Sequence, residues 1–201
     1  MRILHINCNC IGTMLYLLMI EKLDALGIEN EVFVPTYDKS IAVIEVNDNV
    51  FVSECFNKVD RYVFDYKQSK IIKAIEEHYD VKSFDLIHAY TLFTDGNAAR
   101  VLSEKYGIPY VVAVRNTDVN DFFAKRILLR GRGVKNMLSA SKVFFLSEAY
   151  KKQVFEQYLP ADVVEQVKEK IEIIPNGIDD FWFANKPAEK KQIDKSCIKL
   201  V

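Results

Sequence analysis

The 201-residue sequence is poor in residues that interrupt or cross-link a chain, with 7 glycines, 5 prolines and 4 cysteines. So little glycine and proline, against an apolar fraction of 50%, excludes a disordered or fibrous protein. Cys8, Cys10, Cys55 and Cys197 are too few and too irregularly spaced for the disulfide framework of a small secreted protein. Cys8 and Cys10 have the spacing of half a metal site, but no second Cys or His pair accompanies them, and two small apolar residues at a strand end is the simpler account. Long apolar runs are lacking too. Ile11 to Ile20 is interrupted by Gly12 and Thr13 and followed by Glu21-Lys22, short of the roughly 18 residues that span a bilayer. The opening MRILHIN has no basic, apolar and cleavage regions in signal-peptide order, so the expected location is cytoplasmic. Charge of one sign is missing as well. Lys and Arg number 27 against 28 Asp and Glu, which gives nucleic acid no bulk attraction.

What is present is an alternation of short apolar runs and amphipathic stretches. Arg2–Asn7, Glu31–Pro35, Asn49–Val52, Asp85–Ala89, Tyr110–Val114, Lys142–Leu146 and Ile171–Ile174 read as strands. Between them, helical character covers Gly12 to Leu26 with Gly27 just past its end, and Tyr66–His78 with Ile71, Ile72 and Ile75 on one face. A third helix, capped by Thr94, runs to Tyr106 before Gly107, and a fourth stretch covers Val119 to Leu138 with breaks expected at Gly131 or Gly133. Ser147 is the expected N-cap of a fifth. Strands that are continuously apolar are covered on both faces, which predicts a doubly wound α/β fold with a mostly parallel, Rossmann-like sheet. After Asp179 the composition shifts to Phe181-Trp182-Phe183 and a charged run. We expect a domain over residues 1–183, then a linker and the start of a truncated second domain over 184–201.

In such a sheet ligands bind beyond the carboxyl ends of the strands. The polar residues there are Gly12 and Thr13, His88, Asp95, Arg115-Asn116-Thr117-Asp118, Ser147, and Asn176-Gly177. An Arg that follows a buried strand needs a partner: either a carboxylate such as Asp118 or Asp95, as a structural pair, or an anionic ligand. His5, inside the first strand, reads as a satisfied core residue, and His78 as a helix-end charge. Phosphate-loop, nucleophile-elbow and zinc-helix signatures are absent, and the first loop carries one Gly, against an NAD-type turn. Lys125, Arg126, Arg130, Arg132 and Lys135, interleaved with Phe122, Phe123, Ile127, Leu128 and Leu129, form either a basic amphipathic helix over 122–135 that touches an anionic membrane surface or a helix whose basic face is in water.

MRILHIN, DLIHAYTLFTDGNAARVLSEKYGIPYVVAVRNTDVNDF, KVFFLSEAYKKQV and IEIIPNGIDDFW together resemble the N-terminal half of the family-four retaining glycosyltransferases, which pair two Rossmann-like domains in the GT-B arrangement. The resemblance covers roughly residues 1–183. It departs in the single Gly of CNCIGT, in Arg115-Asn116-Thr117-Asp118 where the family often has His-Gly-Thr-Asp, and in His88-Ala89-Tyr90 where it often has His-x-His. It implies a transferase that moves a sugar from a nucleotide-sugar to a glycan, lipid-linked or small-molecule acceptor with retention and without a metal. This half then supplies the acceptor side, with Gly12, Thr13, His88, Asp95, Arg115 to Asp118 and Ser147 as substrate contacts and Asn176 and Gly177 shaping the interdomain cleft. The catalytic residues stay unassigned, and the isolated chain is expected to be inactive. The alternative from another class is a stand-alone α/β module that binds a nucleotide or carbohydrate without catalysis.

Overall fold

A computed structural model of the chain describes residues 1–41, 47–178 and 180–185. Seven strands form one sheet: β1 (Arg2–Ile6), β2 (Glu29–Thr36), β3 (Val50–Glu54), β4 (Leu86–Ala89), β5 (Tyr110–Val114), β6 (Lys142–Phe145) and β7 (Ile171–Ile173). Their order is β3-β2-β1-β4-β5-β6-β7, and every neighbouring pair is parallel. The helices are α1 (Met14–Asp24), α2 (Phe64–His78), α3 (Thr94–Tyr106), α4 (Arg130–Ser139), α5 (Glu148–Gln157), α6 (Ala161–Val167) and the short α7 (Asp180–Ala184). The doubly wound parallel sheet is thus as expected. The expected linker over 184–201 lies outside the described residues except for Ala184 and Asn185.

Two apolar layers sandwich the sheet, because its inner strands carry large side chains on both faces. On one side Tyr16, Leu17 and Ile20 of α1 pack on Val32, Val34 and Val50. On the other, Ile71 and Ile75 of α2, Leu102 of α3, Met137 of α4 and Val154 of α5 cover Leu4, Ile6, Ile87, Val112 and Phe145. Each such side chain contributes roughly 1.5–3 kcal/mol when fully buried. The order of the strands reverses direction at β1 and β4, so chain connections diverge there and leave a crevice beyond the strands' carboxyl ends.

The local signals hold in part. Thr13 Oγ1 accepts from the Leu15 amide and caps α1, and Ser147 Oγ accepts from the Tyr150 amide and caps α5. Gly27 and Gly107 follow α1 and α3 with φ of 76° and 74°, a left-handed conformation that costs glycine little. Thr94 does not cap α3. Its helix receives the buried Asp118 carboxylate instead, which accepts from the amides of Leu92 and Phe93, while Thr91 Oγ1 takes the Asp95 amide.

The stretch from Val119 to Leu138 is not one helix broken at a glycine. Residues Asp118–Phe123 form a π-helical turn, the break falls near Arg126, and both glycines sit inside α4. Gly133 is there for contact. A Cβ on it would lie 2.5 Å from Phe93 Cζ and 3.2 Å from Phe123 Cζ.

Candidate functional site

The first turns after β1, β4 and β5 converge at the reversal point. His5 of β1 sits wholly in the interior: its Nε2 is 2.9 Å from Asn30 Oδ1 and its Nδ1 is 3.0 Å from the Tyr90 hydroxyl. Asn30 spends its amide protons on Asp24 Oδ1 and the Ile28 carbonyl. Its oxygen therefore faces His5, Nε2 carries the proton, and Tyr90 donates to Nδ1. Burial lowers the His5 pKa to about 4, so the ring stays neutral. It is the satisfied core residue the sequence suggests.

His88 lies beside it, with ring centroids 5.3 Å apart, and stacks on Tyr90 at 4.3 Å. Burial, followed by the neighbouring His5 and Arg115, pushes its pKa well below the usual value. A neutral imidazole beside an aromatic ring suits packing against substrate better than carrying charge.

Arg115, directly after β5, extends over this crevice. Its Nε donates to the Tyr90 carbonyl at 3.3 Å, its Nη1 to Asn176 Oδ1 at 2.6 Å, and its guanidinium carbon stands 5.7 Å from the Tyr16 ring centroid. Of the two alternatives the sequence leaves open for Arg115, the side-chain pair with Asp118 or Asp95 does not form among the described residues. Asp118 meets Arg115 through the backbone instead, where Oδ2 accepts the Arg115 amide at 2.9 Å. The reason is topological: the Asp118 carboxylate is drawn inward by the free amides at the start of α3. Burial raises its pKa to about 6, against the pull of three amide donors.

Two cavities flank α1. His88, Arg115, Asn176 and Gly177 line one of about 560 Å³, together with Met19 and Phe144. Gly12 and Thr13 line the other, of about 530 Å³, together with Cys8, Tyr37, Arg61 and Lys67. Tyr16 borders both.

Asn116 and Thr117 are exposed beside this crevice. Asn116 accepts from Tyr150 and Asn120, and the Ser147 hydroxyl is engaged as a helix cap. Asp95 lies beneath the second cavity with no exposed surface, and neither carboxylate oxygen has a hydrogen-bond partner. Cys8 and Thr91 lie beside it without closing a bond to those oxygens. Burial raises its pKa to about 7 and pushes the Cys8 thiol up as well.

Sequence reasoning missed Tyr16, Tyr37, Phe56, Arg61 and Lys67, which come from α1, from the stretches that follow β2 and β3, and from the first turns of α2. An aromatic or a Lys in such a stretch reads as ordinary surface or core. Only the fold turns it toward the crevice. Among the described residues, no group of three or more His, Cys, Asp or Glu is placed to hold a metal ion, and Cys8, Cys10 and Cys55 are free thiols.

An all-parallel, doubly wound sheet with its crevice at the strand reversal is a Rossmann-like domain, and GT-B proteins share it over about half of their own length. A UDP-N-acetylglucosamine 2-epimerase matches with a TM-score of 0.58 at 13% identity, over 88% of this chain and 48% of its own. MurG from Acinetobacter baumannii matches with a TM-score of 0.53 at 10% identity, over 92% and 47%. The UDP-GlcNAc 2-epimerase from Neisseria meningitidis, solved bound to UDP-GlcNAc, matches at 0.51 and 14%, over 88% and 47%. At these identities the likeness establishes the fold, and the chain spans about half the length of the solved structures it matches. No curated protein is matched. The model of Glycosyltransferase Family 4 matches residues 14–180, and the chain belongs to that family.

Proposed function

We propose that the complete protein transfers a sugar from a nucleotide-sugar donor to an acceptor with retention of anomeric configuration, and that the residues described here form its acceptor-side half. Family membership supports the reaction class. The observation that carries the site is Arg115, a half-buried guanidinium at the carboxyl end of β5, held by two neutral oxygens and no carboxylate among the described residues. A fixed cation and fork-shaped donor, it cannot lose its proton near neutral pH. It is suited to orient a phosphate or an acceptor hydroxyl while charge develops on the leaving diphosphate. Cationic side chains rather than a metal ion neutralise that diphosphate in this reading.

The experiment is transfer by the full-length protein from a panel of nucleotide-sugars, with the product's anomeric configuration read by NMR. Retention is expected, with a rate unchanged by EDTA. Arg115→Ala is expected to lower the rate by about a hundredfold, in the range of a lost transition-state contact, with Arg115→Lys in between and the fold intact. An inverted product, or full activity in Arg115→Ala, overturns the reading.

The same reading places the protein in the cytoplasm, as three free thiols suggest. It also gives the 122–135 segment a weak contact with anionic membrane. No described helix is long and apolar enough to cross one.

A further inference from the structure

The cavity of about 530 Å³ at the carboxyl ends of β1, β2 and β3 carries a second, separable feature. Two of its lining residues are cations: Arg61, from the turn before α2, and Lys67, in the first turns of α2. Neither has a carboxylate within ion-pair distance among the described residues. The acids nearest in sequence are used elsewhere. Asp60 holds Lys70 at 2.6 Å and Asp65 holds Arg132 at 2.6 Å, and neither Lys70 nor Arg132 lines the cavity.

Arg61 and Lys67 instead lie over rings. The Arg61 guanidinium carbon is 5.3 Å from the Tyr37 centroid, and Lys67 Nζ is 4.7 Å from the Phe56 centroid. Lys67 is half-buried, and that burial lowers its pKa, which marks an ammonium whose lost hydration nothing fully replaces. Beneath the Cys8 floor, Asp95 favours the charged form of Lys67, yet its oxygens are shut off from the cavity. Arg61 is exposed and Lys67 half-buried, and with no carboxylate of the protein on either among the described residues, both are open to an anionic ligand.

The rest of the lining sets what that ligand is. Tyr16 and Pro35 offer apolar faces that neither of these cations covers, while Asn9, Thr13 and the tyrosine hydroxyls offer polar groups around them. Apolar faces rimmed by hydrogen-bonding groups fit a carbon skeleton that bears hydroxyls.

The geometry points to a binding site for a small hydroxylated molecule carrying one phosphate or carboxylate group. Arg61 and Lys67 hold the anion, and Tyr16 and Pro35, which neither of these cations covers, pack on the skeleton. This molecule is the acceptor if the transferase reading holds; the anion site itself rests on the cavity alone.

The test is calorimetric titration of the 201-residue chain at constant ionic strength with glycerol 3-phosphate, glucuronate, inorganic phosphate, glycerol and glucose. Glycerol 3-phosphate or glucuronate is expected to bind, inorganic phosphate more weakly, and the two neutral compounds not measurably. In Arg61→Gln/Lys67→Gln, affinity is expected to fall by more than about tenfold with an unchanged unfolding midpoint. Should that variant lose stability, Arg61→Lys and Lys67→Arg replace it and are expected to keep most of the affinity.

Binding of glucose as tight as that of glucuronate, unchanged binding in the double variant, loss of binding in both conservative variants, or no binding by any anionic probe overturns the inference. Anion binding without sugar transfer by the complete protein leaves this site standing and removes its role as acceptor site. Transfer to neutral acceptors with no anion binding does the reverse.

Discussion

Asp95 holds an ionisable carboxyl shut off from solvent, with only the Thr91 hydroxyl and the Cys8 thiol beside its oxygens. Its folded pKa of about 7 lies above the ordinary 3.8. The folded state therefore prefers the protonated acid. Its contribution to stability is fully present below about pH 4 and is lost as pH rises through about 7. Asp95→Asn keeps the shape and removes the ionisation. We expect it to stabilise the domain at pH 8 by on the order of 3 kcal/mol, and to leave stability at pH 4 nearly unchanged. Urea unfolding at the two pH values reads both, and equal effects at both would mean that the carboxyl titrates normally. Asp118 has a raised pKa of the same sign but does a different job, since it satisfies the amides of Leu92, Phe93 and Arg115. Asp118→Ala leaves three buried donors bare, so the same assay is expected to show a loss of about 3 kcal/mol at pH 7.

At the scale of elements, α4 approaches α3 closely because position 133 has no side chain. Phe93 cannot yield: it stacks on Phe122 at 4.6 Å and meets Phe123 edge-on at 5.0 Å. Gly133→Ala is therefore expected to cost about 2 kcal/mol, the helix-propensity gain of Ala being smaller than the overpacking. A urea midpoint at or above that of the parent protein would show that the contact is slack. The neighbouring 122–135 segment is less basic in effect than in composition. Lys125 is paired with Asp121 and Arg132 with Asp65, and Arg130 Nε donates to the Phe123 carbonyl. What it presents to solvent is apolar: Leu128 is 98% exposed and Ile127 65%, beside Arg126, which stands over Phe122. Sedimentation with phosphatidylglycerol vesicles should pull down the protein, and Leu128→Asp should weaken this more than Lys125→Gln does. Equal or reversed effects would point to bulk charge.

For the whole molecule, the cavities beside α1 open at one edge of a sheet that matches only half of each related structure. Phosphate charge placed there meets solvent screening, not a closed, dry site. The 201-residue chain alone is expected to show no sugar transfer with any nucleotide-sugar under conditions in which the full-length protein turns over. Turnover by the isolated chain would mean that these residues complete the active site by themselves.

Strand composition and helix caps already carried the architecture. YVVAV is buried on both faces and DLIHA buries Ile87 and Ala89, and Thr13, Ser147, Gly27 and Gly107 act within one turn of their own position. These are local effects, so the sequence alone determined the doubly wound sheet and the general place of its crevice. It also singled out Arg115 and His88, because a polar residue at the end of an apolar strand is conspicuous without coordinates. What Arg115 and Asp118 bond to was settled only in three dimensions. Their partners, Asn176 for one and Leu92 and Phe93 for the other, lie 61, 26 and 25 residues away. The same holds for the cavity of Arg61 and Lys67, and for Gly133, whose purpose is an aromatic ring 40 positions earlier in the chain. Contacts of that range depend on which strand lies beside which, and a one-dimensional pattern of apolar and polar residues carries no term for it.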